Sequence, residues 1–369
     1  MPSLRLLADD LTGALDTTAE FVGLCGPLEV VPADALPAAI PRSLAIDSGT
    51  RELVRTEAVE IVRGLAPLLR DATIAYKKVD SLMRGAWAAE LAVCWKLGAW
   101  RHCVVAPAFL YQGRRTRGGR QFARVPDGSW QTASGDLTAA LRAEGIAAVR
   151  ADPAQKLADG VGIFDAETDE DLDRVVAAAR SASGPVIWCG SGGLAGALAR
   201  GHEVEACARL NRPVLGLFGS DQAATAAQLA ACEMHRIRLA DGRDQIHAIE
   251  QRLATVGVAF VSIDLPETIS RGEATRRIHK ALGIMAAALG PPGTLIVSGG
   301  ETLKGLCALL GTRSLLVNGH VAPGLPRSSM RGGRWDGVEV VSKSGAFGPP
   351  ELWRSLLTEN GLMCESIGA

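Results

Sequence analysis

Lysine is scarce in this chain. Of 39 basic residues only Lys77, Lys78, Lys96, Lys156, Lys280, Lys304 and Lys343 are lysines, and the other 32 are arginines. A lysine is therefore retained where arginine is otherwise preferred, and each position merits a reason. Charge of one sign is missing too: 39 Lys plus Arg against 40 Asp plus Glu leave a formal charge of -1, which argues against a whole-surface partner such as duplex DNA or an anionic membrane. The eight cysteines stand singly, with no CxxC pair and no dense spacing, so neither a disulfide framework nor a zinc motif is indicated and reduced thiols are expected. No apolar run approaches the roughly 18 residues of a membrane span, and Asp9 and Asp10 interrupt the N-terminus where a secretory leader would need an apolar core. The six histidines show no metal spacing. These absences lead to a cytoplasmic protein with small-molecule partners, no nucleic acid and no membrane.

What is present points to an α/β fold. A hydrophobic content of 47% excludes the disordered and fibrous classes, and 369 residues are expected to form two domains. Short apolar runs such as Leu4–Leu7, Leu44–Ile46, His102–Ala106, Val214–Phe218 and residues 294–297 alternate with helical periodicity at residues 12–24, 51–70, 84–98, 168–182, 222–233 and 301–310. The expected architecture is two domains, residues 1–205 and 206–369, each a mostly parallel sheet flanked by helices, with the active site in the cleft between them. The polar stretch 201–213, ending in a Pro that opens a strand, marks the boundary. Residues 107–133 and 319–336, rich in Arg, Gly and Pro, read as two long loops.

The chemistry-bearing segments lie where strands end, which is where ligands bind in open α/β sheets. Asp9 and Asp10 follow the first strand, with Asp16 after them. They can orient hydroxyls, hold Mg²⁺ or take a proton from an attacking alcohol, whereas helix capping accounts for one carboxylate but not two. Arg51, in Asp47-Ser48-Gly49-Thr50-Arg51, is either a bidentate clamp for a carboxylate or a solvated helix-start arginine. Lys77-Lys78-Val79-Asp80-Ser81 with Arg84 unites two scarce lysines with a carboxylate and a hydroxyl, a receptor for a polyol acid. A helix merely capped by Ser81 would need neither lysine.

Arg114, Arg115, Arg117 and Arg120 give the first long loop a phosphate-closing character, or that of a solvated loop. In the second half Ser298-Gly299-Gly300-Glu301-Thr302 runs from a strand into a helix, where paired glycines let amides approach a phosphate. Tight turns use the same residues. Gly219-Ser220 and Lys343-Ser344-Gly345 end two further strands, so three such turns converge on one sheet edge. No Walker A motif and no GxGxxG is present, which counts against an NAD-linked dehydrogenase.

Taken together, Ala8-Asp9-Asp10-Leu11-Thr12-Gly13-Ala14, Asp47 to Arg51, Lys78 to Ser81 with Arg84-Gly85, Ala106-Pro107-Ala108-Phe109, Gly219-Ser220, Ser298 to Thr302 and Lys343 to Gly348 resemble the four-carbon acid sugar kinases. The resemblance spans residues 8 to 348. It implies an N-terminal domain binding the sugar acid, a C-terminal domain binding ATP, and phosphorylation of the terminal hydroxyl of 3-oxo-tetronate, D-threonate or D-erythronate, with Mg²⁺ bridging the phosphates. Position by position, it implies substrate contacts at Asp10, Arg51, Lys78, Val79, Asp80 and Ser81. The nucleotide contacts it implies are Ser220, Gly299, Gly300, Glu301, Thr302 and Gly345. Asp10, Asp9 and Arg84 are the expected catalytic group, and no metal ligand is assigned. The loop Gly113-Arg114-Arg115-Thr116-Arg117-Gly118 departs from the family's Gly-Arg-Thr-Thr, which admits a related branched acid such as 3-oxo-isoapionate as substrate. A non-catalytic nucleotide and sugar-acid regulator is the alternative outside enzymology, and a homodimer is the default assembly.

Overall fold

A computed structural model of the chain describes residues 1–125, 127–219, 222–239, 245–263 and 271–363. It divides into two units, Met1–Val204 and Glu205–Ala369.

The first unit alternates strand and helix from its start. β1 (Leu4–Ala8) is buried along its whole length, as a strand covered on both faces must be. α1 (Leu11–Cys25) follows, capped by the Asp10 carboxylate, which accepts the Gly13 amide, and it stops at Gly26. β2 (Leu28–Pro32), β3 (Leu44–Asp47), α2 (Arg55–Leu65), β4 (Ile74–Lys78), α3 (Trp87–Gly98) and β5 (His102–Ala106) come next. Then come β6 (Arg114–Arg117), β7 (Arg120–Arg124), β8 (Trp130–Asp136), α4 (Leu137–Ala143), β9 (Ala148–Ala151), β10 (Gly160–Phe164), α5 (Asp169–Arg180), β11 (Val186–Gly190) and α6 (Gly192–Ala199).

The main sheet of this unit runs β2-β3-β1-β4-β11-β5-β10-β9 and every pairing in it is parallel. Leu7, Ile46, Val62, Leu91, Val105, Ile163 and Cys189 fill the core between sheet and helices. Each such side chain removed from water stabilises the unit by roughly 1.5–3 kcal/mol. The chain leaves β1 toward β2 and leaves β4 toward β5, on opposite sides, so the seam between β1 and β4 is the topological switch point.

The second unit contains β12 (Val214–Phe218), α7 (Ala223–Ala230), β13 (Arg236–Leu239), α8 (Ile246–Thr255), β14 (Val258–Ile263), α9 (Arg271–Ala288), β15 (Thr294–Ser298), α10 (Gly300–Leu310), β16 (Ser314–Ala322), β17 (Leu325–Arg331), β18 (Glu339–Lys343) and α11 (Leu352–Glu359). Its order is β13-β14-β12-β15-β18-β17-β16, parallel as far as β18 and antiparallel across β17. Phe218, Phe260 and Trp353 lie in its core, the two phenylalanine rings 5.0 Å apart. Here the switch point falls between β12 and β15.

Two expectations are corrected. Residues 107–133 are not an open loop: β6, β7 and β8 form a three-stranded antiparallel sheet. Its buried positions include the polar Thr116 and Gln121, so no apolar alternation marks it in the sequence. Residues 319–336 likewise belong largely to the β16–β17 hairpin, which turns at Pro323-Gly324. Pro326 and Gly319 within those strands mimic loop composition. Helix α4 and strand β9, which fall between recognised elements, are also present.

Candidate active site

Three strand ends of the first unit are stitched together by backbone. Ser48 and Arg51, after β3, donate their amides to the carbonyls of Ala8 (2.9 Å) and Asp9 (3.1 Å), after or at the end of β1. Val79, after β4, donates to Gly190 O at the end of β11. The turns after β1, β3 and β4 are thereby held side by side at the switch point.

Arg51 is the centre of this cluster. Its Nε and Nη2 donate to the two oxygens of Asp9 at 2.9 and 2.6 Å, and its Nη1 lies 2.5 Å from Asp10 Oδ2 and 3.7 Å from Asp80 Oδ1. It sits in a turn, four residues before α2, and is mostly buried. The reading of a solvated helix-start arginine does not describe it. Arg84 grips Asp80 from the other side with Nε and Nη2 at 2.6 and 2.9 Å, while remaining 57% exposed. Ser81 is not a helix cap, because α3 begins only at Trp87 with Ala86 as its cap.

Lys77 and Lys78 are neighbours on β4 and diverge, because successive side chains of a strand leave opposite faces. Lys77 runs into the core and pairs with Glu90 of α3 at 2.8 Å, both fully buried. Lys78 turns to the site: its Nζ donates to Val79 O at 2.8 Å. Gly13 makes room for it. A Cβ there would stand 2.5 Å from Asp10 Oδ1 and 2.7 Å from Lys78 Nζ, so only glycine lets the ammonium and the carboxylate share the start of α1.

In the second unit β12, β15 and β18 are parallel neighbours, and their turns emerge at one edge. Gly299 N donates to Lys343 O at 3.0 Å. Thr225 of α7 donates to Gly345 O at 2.8 Å and meets Ser298 Oγ at 2.8 Å. A Cβ on Gly219 would collide with Thr302 Oγ1. No side-chain hydrogen bond caps α10, whose cap position is Gly299. Ser220, expected here, lies outside the described residues.

The sequence matches two family models in this order: a sugar-binding N-terminal domain over residues 4–134 and 129–198, and a nucleotide-binding C-terminal domain over residues 215–352. It is 32% identical to a D-threonate kinase of Cupriavidus necator, across 96% of this chain and 97% of that protein. The chain belongs to the four-carbon acid sugar kinase family. A second relative, a 3-oxo-tetronate kinase of Methylobacterium radiotolerans, is 33% identical over 64% of this chain and 60% of its own length. A solved Haemophilus influenzae protein shares the fold, with a TM-score of 0.72 at 17% identity, covering 97% of this chain and 100% of that one. This kinase is thus a phosphotransferase, and among its described residues no helix is long and apolar enough to cross a membrane.

Within this kinase the adjacent carboxylates Asp9 and Asp10 are driven apart electrostatically. Burial pushes Asp9 up, but the charge and hydrogen bonds of Arg51, with Lys78 and Lys77 behind it, win and hold it below the usual carboxylate range. Asp10 is raised: burial pushes it up, Arg51 opposes, and Asp9 adds repulsion. Asp80 is buried as well, yet Arg84 and Arg51 hold it well below the ordinary value. Asp16, nearly two turns further along α1, is pushed by burial up to about 6 despite Lys78. Of the three carboxylates around Arg51, Asp10 has 24% of its side chain exposed, against 4% for Asp9 and 8% for Asp80. It is the most accessible of the three.

The small sheet reaches this site through Gln121, which is fully buried. Its amide donates to Ser81 O (2.9 Å) and Pro107 O (3.1 Å) and its carbonyl accepts from Thr116 (2.7 Å). This link leaves no local pattern in the sequence, because Gln121 and Ser81 are 40 residues apart. Of the loop arginines, Arg114 feels the charges of Asp80 and Arg84. Arg115 instead stacks on Trp130, 4.2 Å from the ring centre, and pairs with Glu167.

Proposed function

We propose that this kinase transfers the γ-phosphoryl group of ATP to the terminal hydroxyl of a four-carbon acid sugar, D-threonate before D-erythronate and 3-oxo-tetronate. The observation that carries the reading is the Arg51 cluster: Asp9 held ionised, Asp10 raised and the most accessible of its carboxylates, and Lys78 beside it. Two neighbouring carboxylates with divergent environments mark an acid-base division of labour.

In this mechanism the substrate's hydroxyl oxygen forms the new bond to the γ-phosphorus as the bond to the β–γ bridging oxygen breaks, and the hydroxyl proton passes to Asp10. Asp9 stays ionised and anchors Arg51. Three N–H directions of Arg51 are taken by Asp9 and Asp10, which leaves a second N–H on each of Nη1 and Nη2 for the substrate carboxylate. Lys78, Asp80 and Ser81 bind the hydroxyls, Val79 holds Lys78 in place through its carbonyl, and Arg84 steadies Asp80. Positioning and charge neutralisation supply most of the rate enhancement in phosphoryl transfer.

The second unit fits a nucleotide. Gly219 is packed against Thr302, α10 starts without a side-chain cap, and Gly299, Gly300, Glu301, Thr302 and Gly345 lie at one sheet edge. Ser220 joins them by its position in the sequence. Among the described residues no group of three or more His, Cys, Asp or Glu is arranged to hold a metal. We read Mg²⁺ as arriving with the polyphosphate, whose charge it would neutralise. The seven described cysteines are free thiols, in keeping with a cytoplasmic enzyme.

The relatives that match almost end to end support D-threonate over the 3-oxo acid, whose kinase matches over a shorter stretch. The test is ADP release from MgATP with D-threonate, D-erythronate, 3-oxo-tetronate and 3-oxo-isoapionate, and with GTP as a second donor. D-Threonate with ATP is expected to give the highest kcat/KM. A higher value for another acid reassigns the substrate, and no stimulation by any of them removes the substrate class.

A further inference from the structure

Lys343 ends β18 and is 1% exposed. Its Nζ donates to the carbonyls of Ser344 (2.9 Å) and Gly345 (3.3 Å), and among the described residues no carboxylate pairs with it. Lys77, equally buried, has Glu90 at 2.8 Å. An ammonium buried without a counter-charge is costly, and burial alone pulls Lys343 down to about 7. The described residues of the elements around it form no ion pair with it. α7 and β15 bring the uncharged Thr225, Gln228 and Ser298 to this turn. α10 carries Glu301 and Lys304, β17 carries Arg327 and Arg331, and Glu339 at the far end of β18 is paired with Arg327 at 2.5 Å. Asp221 lies outside the described residues.

The two carbonyls also orient the backbone. In a planar trans peptide the C=O and the following N–H point opposite ways. Turning the carbonyls of Ser344 and Gly345 toward Nζ therefore turns the amides of Gly345 and Ala346 away from it. Phe347 N donates to Ser344 O at 3.1 Å and Thr225 to Gly345 O at 2.8 Å, which fixes both peptides in that sense. Consecutive amides facing one way make an anion-binding nest. This one stands beside the uncapped start of α10, to which Lys343 O is bound through Gly299 N.

We propose that Lys343 is the positioning residue of the phosphate site: it aims the Gly345 and Ala346 amides at the nucleotide's phosphates, and those phosphates supply its missing counter-charge, so that nucleotide binding takes up a proton. The inference rests on reading this unit as the nucleotide site. The sign follows from linkage: an anion raises the lysine's pKa, so affinity is greatest below the free value and falls as pH rises through it, by up to about tenfold per unit.

The experiment is isothermal titration of MgADP into the whole enzyme at about pH 8, one unit above the free value, in two buffers of different ionisation enthalpy. Wild type, Lys343→Arg and Lys343→Met are compared. Wild type is expected to show a buffer-dependent heat corresponding to proton uptake. Lys343→Arg, charged throughout, should bind but take up no proton, and Lys343→Met should bind about tenfold or more weakly, the loss of a charge-assisted interaction. MgADP binding by wild type with no buffer dependence, uptake persisting in Lys343→Arg, or wild-type affinity in Lys343→Met overturns the role of Lys343. If Lys343→Met does not fold, Lys343→Arg alone decides. No MgADP binding by wild type overturns the nucleotide reading of this unit, and the inference with it.

Discussion

Arg51 donates Nε and Nη2 to both carboxylate oxygens of Asp9, at 2.9 and 2.6 Å, although the two residues are 42 positions apart in the chain. The pair holds Asp9 ionised, and Asp10, next in sequence, takes the opposite shift because it feels that neighbouring negative charge and its own burial.

Asp10→Asn and Asp9→Asn are therefore expected to fail differently. Loss of a general base lowers kcat by about 10²–10⁴-fold, so Asp10→Asn should fold with a near-normal Tm and lose turnover. Asp9→Asn breaks a largely buried pair and should cost stability, on the order of 3–5 kcal/mol. In wild type, kcat/KM should fall as pH drops through the raised pKa of Asp10, since the base works only when deprotonated. Steady-state rates against pH and thermal melts of both variants check this, and turnover retained in Asp10→Asn would remove the base role.

Gly13→Ala separates stability from geometry. The added Cβ meets the ends of two flexible side chains, Asp10 and Lys78, which can swing aside, and alanine favours helix over glycine by about 1 kcal/mol. Displacing Asp10 also gives up its cap on the Gly13 amide, worth about 1 kcal/mol, so Tm should change little while kcat/KM falls by about tenfold or more, the effect of a small misplacement. Melting curves beside kinetics are the measurement.

The two adjacent lysines should give opposite phenotypes. Lys77→Met strands Glu90 in the core and should cost about 3–5 kcal/mol, largely recovered in Lys77→Met/Glu90→Leu, because an apolar pair can replace a buried ion pair. Lys78→Met should instead raise KM for the acid sugar with little change in denaturant midpoint. Urea titrations and KM values distinguish the two.

Glu20 on α1 is pushed up to about 8 by burial and by Asp16. A carboxyl raised in the folded state contributes stability below its unfolded value, roughly 4.3, and loses it as pH climbs to the folded one. Glu20→Gln is thus expected to match wild type in Tm near pH 4 and to exceed it increasingly toward pH 8. Paired melts across that range check it, and a constant difference would assign the effect to packing instead.

Much of the fold was legible because it rests on local pattern. Apolar runs such as Leu4–Leu7 and Val214–Phe218 are buried parallel strands, and Asp10, Arg51, Lys78 and Gly299 follow strands at switch points as the ligand-site rule requires. The three-stranded sheet was not legible. Its interior is Thr116 hydrogen-bonded to Gln121 rather than an apolar stripe, and hydrogen bonding between distant strands leaves no period in the sequence.

The sequence by itself determined which residues stand at the strand ends, because alternation of strand and helix is written in hydrophobic period. It also required Lys77 and Lys78 to leave opposite faces of one strand. Only the tertiary structure decided which of them enters the core, which of Asp9 and Asp10 is held ionised, and that Lys343 is buried with no acid paired to it among the described residues. Those outcomes depend on what approaches from elsewhere in the chain, Glu90 from α3 and Arg51 from the turn after β3, and electrostatic energies are set by distance and burial, not by order along the sequence.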